Sequence, residues 1–164
     1  MAPPRVDPSS EPTPESWASH LAPRVDQSSE SPRRWIIRAV EPGEVVAQLW
    51  RRIQARDWFG VGELLAEDFV LEWPHELVRI RGRTNFVEFN RSYPEGWSIE
   101  VLRIVTQGDT TVSEVRVPHP VVGPYYAISF FEVDAGRLTR GREYWVEERY
   151  EKPAPERERW FEAM

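Results

Sequence analysis

The chain has 164 residues with 21 Lys+Arg, 27 Asp+Glu, 8 Trp, 15 Pro and no Cys. That length fits one modest domain, and the composition excludes disulfides and thiolate chemistry. A net charge of −6 argues against nucleic acid as a partner, because binding to a phosphate backbone is dominated by clustered positive charge. With 29% charged residues, a membrane span is not expected either.

Residues 1–40 hold Pro3, Pro4, Pro8, Pro12, Pro14, Pro23 and Pro32 among Ser and acidic residues, and such a segment buries too little apolar surface to offset its ordering entropy. Within it, Pro4-Arg5-Val6-Asp7-Pro8-Ser9-Ser10-Glu11 returns as Pro23-Arg24-Val25-Asp26-Gln27-Ser28-Ser29-Glu30. Two copies are too few for a solenoid; the segment reads as a duplicated disordered tail, or as a tandem peptide ligand. No apolar signal core follows Met1, so a cytoplasmic location is expected. Five Arg and five acidic residues balance in this tail, which leaves the net charge to residues 41–164. A folded domain is expected over 41–150, followed by a C-terminal extension over 151–164.

From Glu41 apolar positions become periodic. Val45, Val46, Leu49, Trp50 and Ile53 recur at helical spacing behind Pro42, which suits a first-turn position, so a helix is predicted over 42–56. A second short helical stretch carries Val61, Leu64 and Leu65, and Phe69 to Trp73 reads as a strand ended by Pro74. Gly82 precedes a third helix with Phe86, Val87, Phe89 and Asn90, closed by Pro94 and Gly96. Trp97 to Thr106, Thr111 to Val117, Tyr125 to Val133 and Leu138 to Glu147 read as strands, rich in β-branched and aromatic residues and separated by short turns. Helices followed by a strand meander predict an α+β fold with helices covering one face of a curved antiparallel sheet. Trp160 and Phe161 predict one more helical turn that packs back on the domain.

Helix one followed by Arg56-Asp57-Trp58, Leu64-Leu65-Ala66-Glu67-Asp68-Phe69 and the Gly82-Arg83 turn resembles the first half of SnoaL-like proteins of the nuclear transport factor 2-like superfamily. The hairpin Phe131-Glu132-Val133-Asp134-Ala135-Gly136-Arg137-Leu138 with Arg142-Glu143-Tyr144-Trp145 is similar to that family's closing strand pair. The resemblance covers about residues 43–148. It implies a cone of strongly curved antiparallel sheet, capped by the N-terminal helices, around an apolar pocket. Polyketide cyclases, ketosteroid isomerases, limonene epoxide hydrolases, dehydratases and non-catalytic binding or dimerising proteins share that fold, so function must be read from the site.

Strand parity puts Glu143 and Trp145 on one face with Gly141. In the epoxide hydrolases an acidic residue before the Tyr of this strand takes part in catalysis, and Glu143 occupies that position. An apolar surround raises a carboxylate's pKa toward the range useful for proton transfer; otherwise Glu143 is a sheet-face residue paired with a neighbouring Arg. Those hydrolases also need Arg-x-Asp on a nearby strand. The corresponding Ser113-Glu114-Val115-Arg116-Val117 lacks it, leaving either an apolar wall or a wall lined by Glu114 and Arg116. The steroid isomerases use a Tyr in an oxyanion hole, where helix one offers Trp50. SnoaL-type cyclases pair a carboxylate with a His; His119, in Val117-Pro118-His119-Pro120, alternates onto the Val115 and Val117 face, as a pocket-rim acid/base or as an exposed loop residue.

His75, His119 and Glu143 lack the spacing of a zinc site, so no metal and no cofactor are expected. Most aromatic residues should form core, with Trp73, Tyr93 and Trp145 selected as pocket walls for a flat, apolar, oxygenated ligand. The expected activity is cofactor-independent proton transfer on a carbonyl-bearing substrate, with Glu143 and His119 exchanging the proton. The alternative is a non-catalytic ligand-binding or dimerisation module. A homodimer through the outer sheet face is expected because Tyr126, Ile128 and Phe130 alternate with Ala127, Ser129 and Phe131, making both faces of that strand apolar.

Overall fold

A computed structural model describes residues 41–149 and 151–162; the Pro-rich tail and its repeat lie outside the described residues. Helix α1, Pro42–Gln54, begins with Pro in its first turn, where no amide partner is required, and buries Val45, Val46, Leu49, Trp50 and Ile53 along one stripe. It ends two residues before the sequence boundary because Arg56 turns the backbone to φ 59°. The Arg56 guanidinium then donates to the carbonyls of Ile53, Gln54 and Trp97, and to Glu95, tying the helix end to the loop before the third strand. Helix α2, Trp58–Glu63, is capped by the Asp57 side chain, which accepts from the Gly60 amide at 2.9 Å.

Six strands follow in one sheet: β1 Leu65–Trp73, β2 Val78–Arg81, β3 Glu100–Gln107, β4 Thr110–Val117, β5 Tyr125–Asp134 and β6 Arg137–Glu147, with α3, Arg83–Arg91, between β2 and β3. Their spatial order is β2-β1-β6-β5-β4-β3. The α+β architecture is as expected, with one departure: β1 runs parallel to β6, so the sheet is mixed and only its other pairings are antiparallel. Short β2 is an edge strand absent from the sequence reading. Its Val-Arg-Ile-Arg run alternates apolar and charged residues over four positions only, with Ile80 alone partly buried, a pattern too short to stand out from the turn before it.

α1 lies across β3, β4, β5 and β6, and the alternation of the sheet faces it. Thr111, Ser113, Val115 and Val117 of β4, and Ala127, Ser129, Phe131 and Val133 of β5, are buried beneath the helix, while their neighbours point outward. The β5–β6 hairpin turns through Ala135 and Gly136, both with positive φ, the backbone of a two-residue turn matched to strand twist. Just beyond it the register shifts between Glu132 and Val133. One extra residue in β6 places Leu138, Gly141 and Glu143 on the buried side together.

The C-terminal extension contains a 3-10 turn, Glu158–Trp160. Contrary to expectation it does not pack on the domain through its aromatics: Trp160 and Phe161 are 66% and 61% exposed. The flanking charged residues pair with one another, as Lys152 does with Glu158, and offer no apolar face for docking.

Candidate functional site

Between α1, α3 and the ends of the strands lies a cavity of about 320 Å³, at the small end of the range for ligand pockets. Trp50 and Ile53 of α1, Phe86 and Phe89 of α3, Leu71 of β1 and Trp97 supply much of its apolar lining. Trp50 is buried because its indole N–H finds an acceptor, the Ser113 hydroxyl, at 3.0 Å. Phe131 packs edge-on against Trp50, with ring centroids 6.3 Å apart.

Glu143 enters this cavity from β6 and is 4% exposed. Its Oε1 accepts from the Ser129 hydroxyl at 3.0 Å; its Oε2 accepts from the indole N–H groups of Trp73 at 3.1 Å and Trp145 at 3.2 Å. All three donors are neutral. Arg142, the obvious sequence neighbour, points to the other face and pairs with Glu72 at 3.7 Å, so pairing of Glu143 with an adjacent Arg is excluded. Burial pushes the Glu143 carboxyl above its ordinary range, and the hydrogen bonds from Trp73, Ser129 and Trp145 partly oppose that.

His119 lines the cavity beyond the end of β4. Its Nδ1 accepts from the backbone amides of Val121 and Val122 at 3.1 and 3.2 Å. Those two donors assign the neutral tautomer with the proton on Nε2. Nε2 lies over Gly96, where an added Cβ would stand 3.2 Å from it; with φ at +122°, glycine meets both the backbone and the space requirement.

Of the residues selected from sequence, Trp50, Trp73, Tyr93, His119, Glu143 and Trp145 all line this one cavity. Tyr93, 49% exposed, stands just past α3. Glu114 does not belong to it. The inward positions of β4 are Ser113, Val115 and Val117, so Glu114 is on the outer face, and Arg116 beside it pairs with Glu100 and Glu148. His75 stacks on Tyr144 with ring centroids 6.0 Å apart, away from the cavity lining. Among the described residues no cluster of His, Asp and Glu suits a metal ion. The sequence reading missed Ser129, Trp97, Asn90 and Tyr125, which come from elements judged only as core or connection.

Helices packed on a six-stranded mixed sheet, with an apolar cavity and one buried carboxyl between them, define an α+β protein of the nuclear transport factor 2-like fold. Residues 46–141 match the SnoaL-like domain, more than half of the chain, and the chain belongs to that family. It is similar to the structure of a candidate ketosteroid isomerase from Kribbella flavida DSM 17836, at 29% identity and TM-score 0.69 over 75% of this chain and 89% of that one. It is also similar to an NTF2-like protein from Burkholderia xenovorans LB400, at 23% identity and TM-score 0.62 over 75% and 94%. An LEH-like epoxide hydrolase of M. tuberculosis is similar at 24% identity and TM-score 0.55 over 64% and 82%; these last two likenesses concern the fold. No match was found among curated proteins. Among the described residues no helix is long and apolar enough to cross a membrane.

Proposed function

We propose that this chain is a cofactor-independent acid/base enzyme, of cyclase, isomerase or dehydratase type, acting on a small, neutral, carbonyl-bearing molecule. The observation that carries the reading is Glu143: a carboxyl buried in an apolar cavity, held among the described residues by three neutral donors and no cation. A carboxyl placed in this way exchanges a proton more readily near neutral pH than an exposed one. In the reaction Glu143 removes a proton from the carbon next to the carbonyl. The electron pair moves onto the carbonyl oxygen, and the proton returns from Glu143 to the substrate at its new position. His119 has a different part from the proton exchange expected from sequence. With Nδ1 engaged by two amides, it offers Nε2–H as a fixed donor for the oxygen where negative charge develops. The name of the Kribbella flavida relative, a candidate ketosteroid isomerase, agrees with this class of chemistry.

Among the described residues no Lys or Arg lines the cavity, whereas Glu76 and Glu143 do. Neutral ketones and enones should therefore bind more tightly than carboxylates or phosphates built on the same skeleton, by about a hundredfold or more, because an unpaired anion there loses its hydration without compensation. Quenching of tryptophan fluorescence by such paired compounds tests the reading; equal or tighter binding of the anions would contradict it.

A non-catalytic ligand-binding or dimerisation module is the second reading, favoured by the absence of Arg-x-Asp from β4 and by Trp50 standing where a hydroxyl donor is absent from α1. We also propose a homodimer through the outer sheet face, where Phe130 and Val146 are 42% and 56% exposed and flank the cross-strand pair Ile128 and Tyr144. Light scattering at micromolar concentration should give twice the chain mass; a monomer would contradict the proposal.

A further inference from the structure

The two oxygens of Glu143 are not equivalent. Oε2 receives two indole N–H groups, from Trp73 and Trp145, which occupies both of its lone pairs, and an indole nitrogen can only donate. A proton on Oε2 would face a donor that has no way to reverse its role. Among the described residues Oε1 receives only the Ser129 hydroxyl, which both donates and accepts and rotates to suit. When Glu143 is ionised Ser129 donates to Oε1. When Oε1 carries a proton, either the second lone pair holds it toward the cavity or Ser129 turns to accept it.

We propose that Trp73 and Trp145 clamp Oε2 shut and leave Oε1, with Ser129 as its reversible partner, as the one oxygen through which Glu143 takes up and returns a proton. The three are positioning residues, and the inference rests on Glu143 as the proton-moving group. Their placement follows from the sheet. Ser129 is the cross-strand partner of Glu143, and Trp145 lies two residues further along β6 on the same face. Trp73 arrives from β1, which pairs parallel with β6 through Leu71 and Gly141. Other titratable groups lining the same cavity are Glu76 from the β1–β2 turn, Tyr93 after α3, His119 after β4 and Tyr125 at the start of β5, so the assigned signal must be that of Glu143 itself.

The test is a carboxyl titration of the unliganded full chain, read by infrared difference spectroscopy, with Glu143→Gln used to assign the Glu143 band. Trp73→Phe and Trp145→Phe keep a smaller aromatic ring and remove the donor. Each should raise the Glu143 midpoint by about one pH unit, since a hydrogen bond to a charged group is lost. Ser129→Ala should move it less, because that variant loses a partner of both protonation states. In the unsubstituted protein the indole N–H resonances of Trp73 and Trp145 should titrate together at the Glu143 midpoint, while that of Trp50, bonded to Ser113, stays still; this readout needs no variant to fold. Unmoved midpoints in both Phe variants, or indole signals that ignore the Glu143 titration, would overturn the clamp. Neither readout depends on turnover. An active Glu143→Gln variant would instead overturn the acid/base reading and leave the clamp standing.

Discussion

Replacing Glu143 with Gln is expected to lower turnover by about 10²- to 10⁴-fold, the usual worth of a positioned acid/base, while the fold survives. The side chains are nearly isosteric, and every partner is kept. A Gln carbonyl oxygen can accept from Trp73 and Trp145, and its amide can donate to Ser129, whose hydroxyl also accepts. The same substitution has a signature in stability. Burial raises the Glu143 carboxyl above its ordinary range in the folded chain, so between the unfolded and folded values the folded state binds more protons than the unfolded one. Stability contributed by this group is then full below the unfolded value and lost as pH rises through the folded value. Gln does not titrate. The melting temperature of Glu143→Gln, relative to the unsubstituted chain, should accordingly climb as pH is raised from the ordinary carboxylate range toward neutrality. A calorimetric pH series checks this, and two curves with a constant offset would contradict a raised Glu143.

The second large effect concerns adjacent phenylalanines. Phe131 is fully buried, packs on Trp50, and lies so close to Gly141 that a Cβ there would meet its ring at 3.0 Å. Phe130 points the other way and is 42% exposed. Phe131→Ala should destabilise the chain by about 3–5 kcal/mol, a fall in melting temperature on the order of ten degrees or more, and should open the cavity wall behind Trp50. Phe130→Ala should cost less than about 1 kcal/mol while weakening self-association. Chemical denaturation of both variants, with light scattering, separates the faces; equal losses would show that the assignment of β5 faces is wrong.

Much of this site was legible in the sequence because parity is local. Counting alternate residues along β6 places Glu143 with Trp145 and Gly141, and counting along β4 carries the Val115 and Val117 face to His119; the structure puts both in one cavity. Glu114 shows the limit. Parity alone left two choices for which face of β4 looks inward, and the packing of α1 over Ser113 and Val115 decides it. Ser129 was hidden by a bulge. Counting back through the Ala135–Gly136 turn without a register shift sets Glu143 opposite Ile128, and only the extra residue of β6 brings Ser129 across from it. Trp73 was selected as a wall but not as a partner of Glu143, because the parallel β1–β6 pairing joins segments some seventy residues apart that no local pattern relates. The edge strand β2 offered only four alternating residues, Val78 to Arg81, too few to stand out from the turn before them.

Proton transfer at Glu143 is tested most directly by incubating the protein in D₂O with neutral cyclic ketones and enones that bind the cavity, and following deuterium entry next to the carbonyl by NMR. The unsubstituted chain should incorporate deuterium well above the buffer rate, with Glu143→Gln returning it close to that rate although it still binds the compound. Tight binding with no incorporation by the unsubstituted chain, or equal incorporation by both proteins, would contradict Glu143 as the acid/base of this site.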